Sequence, residues 1–318
     1  MAEPVSAAAP ARLSRRMPVD PAYLAYRAGA FAARAMPAPA LPSIARLLGV
    51  TAAGAPSSRR LMVERNLQRA SGGTLSGAAL RRAVHRTFES YGRYWIESFR
   101  LPGTSAADIQ TGIQVDDYEH IADGLAAGNG VILALPHLGG WEWAAFWLTE
   151  VKRVPVSAVV EAIEPPQLGE WFAELRRAFG LEIITLGPSA GADVIRALKA
   201  NRIVCLLCDR DIGGGGIDVE FFGERTTLPA GPATLALRSG APLVPCAVYF
   251  EGARHRGSVR PALPAERTGR LRDDVAHLTQ LLACELEALI RRAPEQWHLM
   301  QPNWPSDHQA LQARKPRR

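Results

Sequence analysis

Val131 to Glu150 reads VILALPHLGGWEWAAFWLTE. Its opening VILAL is apolar and β-branched at the front, which suits a short buried strand better than a helix. Pro136 cannot donate to a ladder and ends the strand, while Gly139 and Gly140 allow a sharp turn. Beyond the turn, Trp143, Phe146 and Trp147 recur at helical spacing, so His137 and Glu142 flank one strand-to-helix turn. An imidazole titrating near neutrality can take a proton from a hydroxyl, and a carboxylate on its other nitrogen fixes the tautomer and stabilises the imidazolium. This chemistry makes His137 a candidate base and Glu142 its orienting partner. The bare H-x4-E spacing is weak, because 7 histidines and 31 acidic residues in 318 make a chance match unsurprising. The strand and helix around it carry the information.

Working outward, short apolar runs alternate with helical stretches: VPVSAVV, LEIITL, RIVCLLC, DVEFF and PLVPCAVYF. Strands alternating with helices predict an α/β fold with a mostly parallel central sheet covered by helices on both faces. Upstream, Ser57 to Arg100 is helical by the recurrence of Leu80, Val84, Phe88, Tyr91 and Trp95, and the last helix is expected over Leu271 to Arg292. Tyr23 to Val50, broken by Pro37, Pro39 and Pro42, predicts two short helices. Either they lie on a membrane with Arg27, Arg34 and Arg46 at the phosphate level, or they pack on the core through Ala and Leu. The expected organisation is a disordered N-terminus (1–19), one α/β domain with an N-terminal helical part (20–304, helical to about 100) and a basic disordered tail (305–318).

The net charge is +6, and only Lys152, Lys199 and Lys315 of the 37 basic residues are lysine. Such an arginine excess suits an anionic membrane surface or a phosphate-bearing substrate, and no nucleic-acid motif accompanies it. A surface-binding protein without catalysis is the reading left to the arginines alone. No apolar stretch has the length of a membrane span, and the basic N-terminus lacks the continuous apolar core of a secretory signal. Cys205-x-x-Cys208 has no second pair and lies in an apolar run, which favours buried thiols over a metal site.

In parallel sheets chemistry collects at the carboxyl ends of strands. Three polar sites follow strand-like runs: His137, Glu161, and Asp209-Arg210-Asp211. Converging on one cleft is one reading; a helix cap at Glu161 and an internal ion pair at 209–211 are the plainer ones. Gly213 to Gly216 lacks the lysine of a phosphate loop and is expected to be a mobile loop. Gly187-Pro188-Ser189-Ala190-Gly191 matches a nucleophile elbow and raises a serine esterase, although Pro188 restricts the turn and neither Asp218 nor His255 or His298 falls in a partner pattern.

His137-x4-Glu142, Asp209-Arg210-Asp211, EFFGE (220–224), LPAGPA (228–233) and PEQWHLMQPNW (294–304), taken in order, resemble one family. It is the lysophospholipid acyltransferase superfamily, in the branch of the lipid A late acyltransferases, and within that branch the chain is similar to the actinobacterial phosphatidylinositol mannoside acyltransferases. The resemblance implies a glycerol-3-phosphate acyltransferase-like fold and an acyl-CoA-dependent O-acyltransferase. In it His137 deprotonates an acceptor hydroxyl and Glu142 orients it, a departure from the H-x4-D form in a superfamily where both acids occur. It further implies acyl-CoA, as palmitoyl-CoA, for donor; the 6-hydroxyl of a mannose on a mannosylated phosphatidylinositol lipid for acceptor; no cofactor or metal; and peripheral attachment to the cytoplasmic face of the cell membrane. Glu161, Arg176, Asp209, Arg210, Asp211 and Glu220 become candidates for contact with sugar or phosphate. Trp141, Trp143, Phe146 and Trp147 are expected to line an alkyl tunnel or to pack the core.

Overall fold

The computed structural model describes residues 20–37, 40–54 and 57–314. The expected disordered N-terminus (1–19) and the end of the tail (315–318) lie outside the described residues.

Four helices come first: α1 (Pro21–Ala35), α2 (Leu41–Gly54), α3 (Ser58–Ala70) and α4 (Gly77–Arg100). The stretch read as helical from Ser57 onward is two helices, because Gly72 and Gly73 take left-handed backbone (φ 60° and 79°) between them. There follow α5 (Ala106–Gly112), β1 (Ile113–Asp116), α6 (Glu119–Ala126), β2 (Val131–Leu135) and α7 (Trp141–Phe146), which runs into a π turn at Trp147–Val151. Next come β3 (Val156–Val160), α8 (Pro166–Arg177), β4 (Leu181–Thr185), α9 (Ala190–Lys199) and β5 (Ile203–Leu207). A hairpin of β6 (Ile217–Phe221) and β7 (Glu224–Leu228) leads to α10 (Gly231–Ser239), β8 (Leu243–Glu251), β9 (Arg254–Val259), α11 (Leu271–Arg292) and α12 (Pro305–Ala313).

Seven strands form the sheet in the order β1-β9-β8-β2-β5-β3-β4, parallel at every pairing except β8 with β9. Alternation along β2 shows why both faces are covered. Ile132 and Ala134 join a core with residues of α9, α10 and α11, whereas Val131, Leu133 and Leu135 join one with residues of α5, α6, α7 and α8. The fold class expected from the sequence is therefore the fold found. The N-terminal helices cluster separately: Ala30, Ala45, Ile96 and Phe99 pack with Leu168 and Phe172 of α8.

One expectation needs correction. Pro305–Ala313 is not a disordered tail but a helix, because Asp307, fully buried, accepts from Arg65 Nε (2.5 Å) and Arg69 Nη2 (2.8 Å) of α3. Backbone N–H groups of Asn303 and Trp304 also donate to that carboxylate. Among the described residues no helix is long and apolar enough to cross a membrane.

Candidate active site

Leu135 of β2 is paired with Leu207 of β5 in parallel register. Two residues further along each strand, His137 and Asp209 leave the sheet side by side. His137 Nδ1–H donates to Asp209 Oδ1 (2.6 Å), and the His137 backbone N–H donates to Asp209 Oδ2 (3.1 Å). The His137 side chain is 30% exposed, and its Nε2 has no hydrogen-bond partner among the described residues. One ring nitrogen is thus held, and the other is unbonded among the described residues of a partly exposed side chain.

Asp209 is fully buried. Burial alone would raise its pKa, but the His137 ring, the Trp297 indole and the His137 amide outweigh burial and hold it below the usual carboxylate range. Trp297 Nε1 donates to Oδ2 at 2.7 Å, and Asn303 Nδ2 donates to the Asp209 carbonyl at 3.1 Å. The same C-terminal segment fixes the turn: Gly139 N–H donates to Gln296 O, His298 N–H donates to His137 O, and Leu138 pairs with Trp297. Gly139 has φ 59°, and a Cβ there would lie 1.9 Å from Val248 O, so this position requires glycine.

The expectation that Glu142 orients His137 is corrected by this geometry. Glu142 is 4% exposed, and its Oε1 accepts from Arg176 Nε (3.1 Å) and Nη2 (2.6 Å). Burial would lower the Arg176 pKa, but the Glu142 carboxylate more than compensates and raises it. Tyr94 completes the cluster, its hydroxyl pKa raised well above normal by burial and then by Glu142. The Gly139–Gly140 turn and the first residues of α7 carry the Glu142 carboxylate to Arg176 of α8, while the place beside Nδ1 is filled from Asp209, just after β5. Arg176, expected in a substrate pocket, is spent on Glu142 and covered by Trp141 and Phe172.

The other candidates divide. Glu161, exposed at the end of β3, pairs with Arg210 across to β5, so these two meet at the same sheet edge as His137 and Asp209. Arg210 Nε is a buried donor without a partner among the described residues. Asp211 works locally: it accepts from Gly214 N–H (3.1 Å), Gly216 N–H (2.9 Å) and Thr227 Oγ1 (2.9 Å), which anchors the loop expected to be mobile. Glu220 lies on the hairpin, its backbone bonded to Gln280 of α11, and among the described residues it has no hydrogen bond to His137 or Asp209. The Glu161 and Asp209–Asp211 sites thus converge, except that Asp211 staples a loop and Glu220 stands apart.

Ser189 is exposed at the start of α9 with no hydrogen bond from its hydroxyl to a histidine or carboxylate among the described residues. His255, its possible partner, is buried between Gly112 O and Glu97. Burial pushes the Cys205 thiol up to about 12, and Cys208 packs in the opposite core layer, so the pair does not converge.

Behind the turn lies a narrow, almost wholly apolar pocket between the sheet and α7. Trp141 and Trp147 line it; Trp143 instead stacks on His255 (4.5 Å) and Phe146 on Phe179 (4.0 Å). Trp297, Asn303 and His298 are the site residues the sequence reading left without a role. The motif PEQWHLMQPNW was the only signal for them.

Residues 11–306 match the model of the bacterial lipid A biosynthesis acyltransferase family. The chain is 36% identical over 304 residues to a phosphatidylinositol mannoside acyltransferase of Mycolicibacterium smegmatis, covering 93% of this chain and 96% of the relative. It is 38% identical over 226 residues to a protein of the same name from Mycobacterium tuberculosis, covering 70% of each.

Proposed function

Given that the chain belongs to the bacterial lipid A biosynthesis acyltransferase family and is an acyltransferase, we propose that it moves a palmitoyl chain from acyl-CoA to the 6-hydroxyl of a mannose on a phosphatidylinositol mannoside. The relatives' names support the lipid acceptor. The observation that carries the mechanism is the buried Asp209, its pKa held low, on His137 Nδ1, with Nε2 unbonded among the described residues and an apolar pocket lined by Leu135 and Trp141 on either side of the turn in sequence.

In this mechanism Asp209 keeps the proton on Nδ1, so Nε2 is the basic nitrogen. Nε2 takes the acceptor hydroxyl proton as the oxygen attacks the thioester carbonyl carbon. The tetrahedral oxyanion then collapses, the C–S bond breaks, and the leaving thiolate of CoA recovers the proton from Nε2. Gly139 N–H is bonded to Gln296 O and so is not free to hold the oxyanion. Glu142 and Arg176 act through structure, fixing the start of α7 and the cavity wall behind His137. Glu161 and Arg210 form the polar rim nearest the dyad and are the favoured contacts for sugar or phosphate. No metal or cofactor takes part in this scheme.

Attachment to a membrane surface is supported by α1 and α2, where Phe31 (77%) and Leu47 (63%) are exposed beside Arg27 and Arg46. Incubating purified protein with radiolabelled palmitoyl-CoA and phosphatidylinositol mannosides tests the whole reading. Transfer by wild type and Ser189→Ala, absent in His137→Ala and Asp209→Asn, is the expected result. Transfer that survives His137→Ala overturns it.

A further inference from the structure

Glycine is a poor strand former, because it has the most backbone freedom to lose and no side chain to pack. Gly257 nonetheless sits in the middle of β9, buried, and without the positive φ that would demand it. Inside a strand such a glycine often marks a bulge, a tight bend, or close approach of a ligand or of another backbone.

Its position is unusual in the sheet. Gly257 is paired with Val248 of β8 on one side and with Val115 of β1 on the other, so the three form one cross-strand row on a single face. All three line the apolar cavity, and the row is interrupted only at its centre. Carrying the β2–β8 register (Ala134 opposite Pro245) three residues onward places Val248 opposite His137. Gly139, two residues after His137, approaches the Val248 carbonyl as noted above, which ties the row to the catalytic turn. A Cβ on Gly257 would come 3.1 Å and 3.3 Å from the two methyls of Val115. Alanine would fit only if Val115 yielded by a few tenths of an ångström, and any larger side chain would fill the groove between β9 and the π turn, where Trp147 and Leu148 form the facing wall.

We propose that Gly257 sets the acyl-chain length this protein accepts: the gap in the Val115–Gly257–Val248 row is the passage of a long saturated alkyl chain across the sheet. This rests on the acyltransferase reading above. It assigns the far part of the chain to β9 and β1, at the opposite end of the sheet from the Glu161–Arg210 rim.

The test is a kcat/KM profile over saturated CoA esters from octanoyl to stearoyl, with phosphatidylinositol mannosides as acceptor, and a melting curve for every variant. Gly257→Val should lower the palmitoyl-to-decanoyl ratio at least about tenfold, the scale on which one misfitting methylene group is discriminated in an apolar pocket. Val115→Ala combined with Gly257→Val should restore much of the ratio. Val115→Phe fills the same space from the neighbouring strand without altering β9, and should shift the profile likewise if Gly257→Val does not fold. A ratio unchanged in Gly257→Ala and Val115→Phe, with wild-type transfer intact, overturns the inference alone. No transfer by wild type from any ester overturns the acyltransferase reading and the inference with it.

Discussion

Two acid-containing pairs stand a few residues apart and differ in almost every respect that matters to chemistry. Asp209 is buried, but its partner His137 keeps one ring nitrogen at a partly open surface; Glu142 and Arg176 are both buried and saturate each other. Asp209 is reached through strand register, with its oxygens aligned by Trp297 from the C-terminal segment. Glu142 is reached through the glycine turn at the second position of α7 and lies against α8. The difference teaches that closeness in sequence to His137 does not make Glu142 its partner: Glu142 pairs with Arg176, 34 residues on, and closeness in the sheet brings Asp209 to His137 across 72 residues.

Separate substitutions should pull the pairs apart. Asp209→Asn leaves the shape but frees the wrong tautomer, and should lower kcat by about 10²–10⁴-fold with a modest change in melting temperature. Glu142→Ala strands a buried guanidinium and should cost about 3–5 kcal/mol of stability in denaturant unfolding, with Glu142→Gln retaining far more kcat per folded molecule than Asp209→Asn. If Glu142→Gln is the more inactive of the two at equal folding, the roles are reversed. Trp297→Phe removes one donor from Asp209 while keeping the packing, and should lower kcat up to about tenfold with KM nearly unchanged. A rise in KM alone would assign the indole to substrate binding instead.

The smallest effect concerns pH. His298 lies behind His137, its Nε2 hydrogen-bonded with Ser90 Oγ, and burial, followed by the neighbouring His137, lowers its pKa to about 3. An unfolded histidine binds its proton near pH 6.5. Between those values the unfolded chain holds the extra proton, so stability falls as pH drops from about 6.5, by at most about 1.4 kcal/mol per pH unit. The lowered Asp209 and Asp307 act in the same direction lower down, since their stabilisation is present above the unfolded carboxylate pKa and is lost as pH falls through about 4 toward their folded values. His298→Gln should flatten the slope between about pH 6 and pH 4.5 in urea-unfolding measurements; an unchanged slope would remove His298 as its cause.

Six apolar runs point to β2, β3, β4, β5, β6 and β8, and helical spacing to α4 and α11, because each carries a run or a stripe of apolar residues in the sequence itself. IQVD, ERTTL and RHRGSV carry none: they are short and polar, and Gly257 breaks the third, so β1, β7 and β9 were illegible. His137 was legible from its strand end. Its partner was not, although Asp209 was among the candidates, because nothing local says that β5 lies beside β2. Trp297 and Asn303 are remoter still, 88 and 94 residues from Asp209. The tail was misjudged for a related reason: Asp307 looks solvated until Arg65 and Arg69 are brought to it from α3.

The most direct test of the His137–Asp209 assignment is single-turnover transfer from palmitoyl-CoA to phosphatidylinositol mannosides, comparing His137→Ala with wild type at matched folded concentration. Loss of transfer with acyl-CoA binding retained is predicted. Transfer at a wild-type rate without the imidazole would contradict the assignment outright.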